Sequence, residues 1–254
     1  MDSPTDTKPP HVTDVRLDFP APYVLLVTIN RENRLNSLSF NAAWELERLW
    51  EWMDDRMDIS TLQDSTVARA VTYPPGGFAG LTRRTGKKPI VVACNGFAYG
   101  GGFEIVLNSD IVIASEQAIF SFPDVQRGTA AIAGGLPRLC RNLTLQRAMQ
   151  MALMAHKLTA IEAKEWGLVQ KIVPAGRVVE EAIEAAKIIA GMSPDSIIVS
   201  RAGVRQAWET SSVEYATKLI WDSFAEKLIL GENALEGMQA FVQKRRPVWR
   251  PSKL

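Results

Sequence analysis

Residues 95–104 read N-G-F-A-Y-G-G-G-F-E, and they follow the apolar run P-I-V-V-A-C at 89–94. A continuous apolar run of this length is typical of a strand that is buried on both faces. The Asn95-Gly96 pair then predicts a turn, and Gly101 to Asn108 predicts a helix. A helix N-terminus preceded by glycines presents unpaired N–H donors, which suit a phosphate or a developing oxyanion. These residues therefore predict a strand, a turn and a helix whose first turn can bind an anion.

Two carboxylates accompany the glycines. Glu104 follows them after one phenylalanine, and Asp124 comes twenty residues later in F-P-D. A carboxylate beside bare backbone N–H groups can transfer protons next to a carbonyl. A phosphate-binding loop is disfavoured, because no G-K-S/T follows and a dinucleotide fold would show a later acidic ribose partner. Two structural explanations stay open: glycines for close helix–strand packing, and Asp124 as a turn or capping residue after Pro123.

The order of elements predicts an α/β fold with a helical C-terminal part, since strands and helices alternate through the middle and helices follow alone. Val15 to Phe19 and Tyr23 to Ile29 predict a hairpin, and Ser39 predicts the cap of a helix that continues to about Asp55. The predicted organisation is a disordered tail at 1–12, a core domain at 13–190 and a C-terminal helical region for trimerisation at 191–254.

Composition excludes several classes of function. The 254 residues are 46% hydrophobic with a net charge of +1, which predicts a folded core and gives no reason to expect nucleic acid or a membrane surface as partner. No apolar run reaches the roughly 18 residues of a membrane span. Cys94 and Cys140 are too few for a disulfide framework, and His11 and His156 lack partners at metal spacing. We therefore expect no metal site.

The two ends of the sequence predict a location. Residues 1–10 are polar and proline-rich, unlike a signal peptide. The last three residues, Ser252, Lys253 and Leu254, match the peroxisomal address that an import receptor reads at a free C-terminus. The alternative is an accidental tail of a cytosolic protein. The expected location is the peroxisome.

Several motifs extend the pattern along the chain. After N-G-F-A-Y-G-G-G-F-E come D-I-V-I-A-S at 110–115, F-P-D-V-Q-R-G at 122–128, A-G-G-L-P-R-L at 133–139 and L-T-A-I-E-A-K-E-W-G-L-V-Q-K-I-V-P at 158–174. This ordered series resembles the enoyl-CoA hydratase/isomerase (crotonase) family over nearly the whole chain. The resemblance implies a ββα spiral core, homotrimers often paired into hexamers, and an acyl-CoA substrate whose thioester carbonyl sits in an oxyanion hole. Coenzyme A would be part of the substrate, and no separate cofactor is implied.

The resemblance also implies catalytic roles. Gly101 matches the glycine whose backbone N–H forms half of the oxyanion hole, and Glu104 matches the first catalytic glutamate. Asp124 occupies the position where hydratases of the family usually have a second glutamate. In such a hydratase, two carboxylates hold one water and pass protons as it adds to a 2-enoyl double bond. Because Asp124 is one methylene shorter, it also fits an isomerase, in which one carboxylate moves a proton between substrate carbons.

The implied substrate-binding positions are Arg31, Leu35, Gly100, Phe241 and Lys244. Arg31 to Leu35 resembles the region beside the adenine, and Lys244 near Phe241 resembles C-terminal contacts that reach across subunits. The alternative for Lys244, within the run K-R-R at 244–246, is a solvated basic surface.

One part of the family pattern is not recognisable. Members carry a buried strand and an A-F-x-A-G-x-D loop that supplies the second oxyanion N–H, whereas F-A-G at 78–80 lacks the acid and lies close to the next strand. We therefore expect one core strand to be missing between Asp54 and Pro89. Loss of one oxyanion donor typically lowers rates about 10²–10³-fold, so impaired activity is expected too. Two hypotheses remain: an enoyl-CoA hydratase or isomerase, and a catalytically impaired CoA-binding or subunit-partner protein on the same fold.

Overall fold

The computed structural model describes residues 8–54, 72–210 and 212–254. These divide into two compact units. The core unit contains 8–18, 25–54, 72–86 and 90–182, and the helical unit contains 19–24, 87–89, 183–210 and 212–254. Of the predicted N-terminal tail, residues 1–7 lie outside the described residues, and 8–12 contain neither helix nor strand.

The N-terminal part of the chain forms a hairpin and a helix. Strands β1 (Val15–Ala21) and β2 (Val24–Ile29) pair in a two-stranded sheet, as predicted. Helix α1 (Phe40–Asp54) begins after Ser39, whose hydroxyl oxygen accepts the N–H of Ala42 at 3.1 Å. This is the predicted cap, and it satisfies one of the N–H groups that a helix start leaves without an intrahelical partner.

Two three-stranded sheets build the centre of the core unit. The first sheet is parallel and contains β3 (Val91–Cys94), β5 (Ile111–Ser115) and β8 (Lys171–Val173). In the second sheet β4 (Phe97–Tyr99) is parallel to β6 (Ile119–Ser121), and β7 (Leu158–Thr159) is antiparallel to β6. The pairs β3–β4, β5–β6 and β7–β8 therefore each contribute one strand to each of these two sheets, which is the predicted spiral. Strand β3 is an edge strand among the described residues, so Val91 to Ala93 are half-buried rather than buried on both faces.

Helices complete both units. Besides α1, the core unit contains α2 (Gly101–Asn108), α3 (Gly135–Asn142), α4 (Leu145–Met154) and α5 (Ala160–Glu165). Helix α6 (Val178–Ala190) continues into the helical unit, which contains α7 (Pro194–Glu209), α8 (Val213–Ile229) and α9 (Glu232–Val242). Helix α2 has the predicted bounds. Its Phe103 is fully buried and packs its ring on Phe120 and Phe122, with centroids 5.7 and 4.7 Å apart, which fixes α2 on the second sheet.

An apolar cluster joins α1 to α2. Its buried members are Leu46, Leu49, Trp50, Ala79 and Ile105. We expected one core strand to be missing between Asp54 and Pro89. Residues 55–71 of this stretch lie outside the described residues, and 72–88 contain no strand. No helix in the described part of the chain is long and apolar enough to cross a membrane.

Candidate active site

The glycines open the first turn of α2. Gly100 has φ +52° and ψ −123°, a conformation that favours glycine. Its N–H donates to the carbonyl of Ser121 at 3.1 Å, and its own carbonyl accepts the N–H groups of Phe103 and Glu104 at 2.9 and 3.0 Å. The N–H of Gly101, by contrast, has no acceptor among the described residues. The start of α2 therefore offers a fixed backbone donor, as the sequence predicts.

Glu104 is 3% exposed and faces the beginning of α3. Its Oε1 accepts the backbone N–H of Gly135 at 2.7 Å. A Cβ atom at Gly135 would lie 2.5 Å from Cγ of Glu104, so only glycine allows this approach. Burial raises the pKa of Glu104, the hydrogen bond from Gly135 opposes the rise, and the Asp124 carboxylate adds to it. Glu104 therefore retains a proton to higher pH than an ordinary glutamate, which suits an acid–base catalyst.

Asp124 lies in the 3-10 turn Pro123–Arg127. Both of its carboxylate oxygens are 3.6 Å from the point where a Cβ atom of Gly100 would lie. Its Oδ2 is buried, and none of the described residues provides it with a hydrogen-bond partner. The structure thus brings Gly101, Glu104 and Asp124 together, although they are distributed over twenty-four residues.

A second unpaired backbone donor lies in residues 76–82, here called the 76–82 turn. From Gly76 to Arg84, every backbone N–H except that of Ala79 has an acceptor within the described residues. Ala79 is buried and left-handed, with φ +55°. The turn packs on α2: a Cβ atom at Gly101 would lie 2.7 Å from ring carbons of Phe78. The N–H groups of Ala79 and Gly101, both without an acceptor among the described residues, therefore belong to two segments that meet at the Phe78 ring.

Between 54 and 89, where we expected no second oxyanion donor, the described residues thus contain a candidate for one, the Ala79 N–H. F-A-G at 78–80 is one residue shorter than F-x-A-G, but Gly77, Ala79 and Gly80 all have positive φ. These values tighten the turn enough for it to reach α2 despite its closeness to β3. Sequence reasoning misses this because a left-handed alanine has no signature of its own. The signal that could have found it is F-A-G preceded by two glycines.

Tyr73 is a further site residue that the sequence did not indicate. Its ring contacts Phe40 and Phe78, with centroids 4.6 and 5.8 Å apart. Burial raises the pKa of Tyr73, and the carboxylates of Glu104 and Asp124 raise it further. The phenol therefore lies within electrostatic reach of both carboxylates and is 38% exposed as a residue.

The N-terminal residues predicted to bind the adenine form a loop of their own. Arg31 pairs with Asp14 at 2.9 Å and also donates to the carbonyl of Ser37. Leu35 is 94% exposed with φ +51°. An open cavity of about 390 Å³ is lined by residues 30–34. Arg31 thus stabilises the loop, and the exposed Leu35 remains open to a ligand.

The C-terminal candidates belong to the helical unit. Phe241 is 85% exposed, and Lys244 is exposed with φ +52°. The Ser252 hydroxyl donates to the carboxylate of Asp195, and Leu254 donates its N–H to Ser252 at 3.1 Å. Lys253 pairs with Glu232. Across the described ranges, no group of three or more His, Cys, Asp or Glu side chains is placed to hold a metal ion.

Fold and site together define an α/β enzyme that carries out acid–base chemistry beside a bound carbonyl. The chain belongs to the enoyl-CoA hydratase/isomerase family, since the model of that family matches residues 57–252. This confirms the predicted family, the spiral fold and an enzyme of the acyl-CoA hydratase/isomerase type.

Two similar proteins are named for reactions of the same class. A mevalonyl-coenzyme A hydratase of Aspergillus fumigatus is 42% identical over 96% of this chain and 98% of its own. A carnitinyl-CoA dehydratase of Salmonella typhi is 34% identical over 70% of this chain and 69% of its own. Among solved structures, the enoyl-CoA hydratase of Mycobacterium tuberculosis has a TM-score of 0.81 at 26% identity, covering 94% of this chain and 99% of that one.

Proposed function

We propose that this protein catalyses the reversible addition of water to a 2-enoyl-CoA whose acyl chain is of the mevalonyl type, branched and hydroxylated. The observation that supports this reaction is that the site combines two carboxylates with two backbone N–H groups, those of Ala79 and Gly101, that have no acceptor among the described residues. The acyl chain is inferred from the mevalonyl-coenzyme A hydratase of Aspergillus fumigatus, which is similar over almost the whole length.

The two N–H groups would bind the thioester oxygen. When a proton leaves C2 of a 3-hydroxyacyl thioester, the electron pair moves into the carbonyl and negative charge develops on that oxygen. Donors already in place stabilise this charge more than they stabilise the ground state. Removing one such donor typically lowers the rate about 10²–10³-fold. We therefore expect the Ala79 N–H to contribute to the rate as much as the Gly101 N–H does.

The two carboxylates would divide the proton transfers. In the dehydration direction, Asp124 removes the C2 proton and Glu104 delivers a proton to the hydroxyl that leaves C3, giving the 2-enoyl thioester and water. Glu104 suits the role of the acid because burial raises its pKa. The hydrogen bond from Gly135 lowers this pKa, and the charge of Asp124 raises it further. Hydration follows the same steps in reverse, with one water lying between the carboxylates.

The test compares mevalonyl-CoA and crotonyl-CoA as substrates of the purified full chain. Absorbance of the conjugated enoyl thioester measures turnover, and incubation in ¹⁸O-labelled water separates hydration from isomerisation, since only hydration places solvent oxygen on the acyl chain. Glu104→Gln should lower kcat about 10²–10⁴-fold, the range for removal of a general acid or base. Glu165→Gln makes the same change at an exposed residue of α5 and should behave as wild type. Equal turnover in Glu104→Gln, or no labelled product, would contradict the proposal.

Oligomeric state, import and any impairment of activity stay predictions. Exposed apolar side chains on α8 and α9, among them Trp221 at 67% and Phe241 at 85%, support a homotrimer or hexamer, which light scattering can measure. Peroxisomal delivery is tested with a fluorescent protein fused ahead of the full chain, with and without residues 252–254. A diffuse signal from both fusions would contradict it.

A further inference from the structure

Helix α1 contacts the 76–82 turn through two buried polar side chains. Glu47 and Trp50 are three residues apart, so they share one face of the helix, and they are 9% and 7% exposed. Glu47 Oε1 accepts the N–H of Gly76 at 3.0 Å. Trp50 Nε1 donates to the carbonyl of Ala79 at 2.8 Å. One helix face therefore binds the start of the turn and the residue that carries its unpaired donor.

The left-handed conformation of Ala79 depends on such contacts. A non-glycine residue at φ +55° is strained and persists only where its surroundings hold it. On one side, the Phe78 carbonyl accepts the N–H groups of Leu81 and Thr82 at 3.1 and 3.3 Å. Because a trans peptide places C=O and N–H on opposite sides, these bonds direct the Ala79 N–H away from them. On the other side, Trp50 holds the Ala79 carbonyl.

Glycines let the turn lie directly on Glu47. A Cβ atom at Gly80 would be 2.7 Å from Glu47 Oε2 and 2.8 Å from its backbone N and Cα. A Cβ atom at Gly76 would be 2.2 Å from the same oxygen and 2.6 Å from the Gly80 carbonyl oxygen. A side chain at either glycine would therefore displace the turn from Glu47.

We propose that Trp50 and Glu47 are positioning residues that hold Ala79 so that its N–H serves as the second oxyanion donor. Trp50 fixes the peptide after Ala79, and Glu47 fixes the entry to the turn at Gly76. Neither side chain touches the substrate; both act through the backbone. The inference rests on the proposed function, because it assumes that the Ala79 N–H binds the thioester oxygen.

The first experiment removes the indole donor with Trp50→Phe in the full chain. A displacement of about 1 Å in a catalytic group can cost on the order of a hundredfold in rate, so kcat should fall about tenfold to a hundredfold while KM changes less than about threefold. Trp44→Phe is the matched control. The Trp44 indole also donates from α1 to a backbone carbonyl, that of Thr72 at 3.1 Å, but not to Ala79, and the variant should keep wild-type kcat.

The second experiment measures the oxyanion site without turnover. The absorption of bound para-dimethylaminocinnamoyl-CoA moves to longer wavelength as its thioester carbonyl accepts stronger hydrogen bonds. This shift should shrink in Trp50→Phe and stay unchanged in Trp44→Phe. Glu47→Ala should also reduce both kcat and the shift, whereas Glu47→Gln retains an acceptor oxygen for Gly76 and should restore both. A purely structural role for Glu47 and Trp50 would leave the band of bound probe where it is.

Failure of this inference is distinct from failure of the proposed function. If wild type shows neither Glu104-dependent turnover nor a band shift, the proposed function is wrong. If wild type shows both, and folded Trp50→Phe and Glu47→Ala match it, the positioning inference alone is overturned. Should Trp50→Phe not fold, the contrast between Glu47→Ala and Glu47→Gln decides the question.

Discussion

Replacing Glu47 by glutamine should make the protein more stable at neutral and alkaline pH. Glu47 lies beneath the 76–82 turn with Oε1 bonded to Gly76, while Oε2 is buried without a partner among the described residues. Burial raises the pKa of Glu47 from 4.5 to about 7; the Gly76 bond lowers it, Glu51 raises it, and Arg84 lowers it. The folded state therefore holds a proton at pH values where the unfolded chain has lost it.

The sign and size of the effect follow from proton linkage. Between pH 4.5 and about 7 the folded protein binds more protons than the unfolded chain, so its free energy of unfolding falls as pH rises through this window. Each pKa unit corresponds to about 1.4 kcal/mol, and partial solvent access to the carboxyl reduces the full shift to about 2 kcal/mol. Glutamine is neutral throughout and does not lose this stability. The advantage of Glu47→Gln should therefore grow by about 2 kcal/mol from pH 4.5 to above 7.

Urea unfolding at a series of pH values between 4 and 8 measures this difference. Protein concentration is held constant, because association contributes to apparent stability. Other titrating groups cancel in the difference between variant and wild type, and Glu165→Gln controls for the loss of one carboxylate. A difference that stays flat across the window, or that falls with rising pH, would refute the assignment of a high pKa to Glu47.

Two further predictions concern the site itself. Gly101→Ala places a methyl group 2.7 Å from the ring carbons of Phe78, inside the ~3.5–4.0 Å contact distance. The ring and the adjoining peptide must then move, so kcat should fall about a hundredfold. In the same assay Gly102→Ala, whose methyl would meet no neighbouring atom within 4 Å, should keep wild-type kcat. Burial and the two nearby carboxylates raise the pKa of Tyr73, so the difference between the ultraviolet titrations of wild type and Tyr73→Phe should show a phenol that ionises above its ordinary range. Glu104→Gln should lower the pKa of that phenol. A phenol that ionises in the ordinary range and does not respond to Glu104→Gln would contradict this prediction.

Local sequence predicted the elements that depend on local physics. Helix α2 has its predicted bounds, because glycines, an apolar run and a following Ser-Asp pair mark both of its ends. Ser39 caps α1 as predicted, since capping needs only a hydroxyl one turn from the free N–H. Strands β4 and β7 are three and two residues long and were not predicted, because so short a run has no measurable alternation.

The sequence by itself determined one wall of the candidate site. Gly101, Glu104 and Asp124 occupy positions set by a motif and a fixed spacing. The connection from β4 to α2 and the connection from β6 to the 3-10 turn Pro123–Arg127 bring them together. The other wall was decided by tertiary structure. In the proposed site, Ala79 is a donor because α1 binds its carbonyl through Trp50 and binds the start of its turn through Glu47. These contacts join residues 29 apart in sequence, and a long-range hydrogen bond leaves no periodic pattern in the chain for sequence reasoning to find.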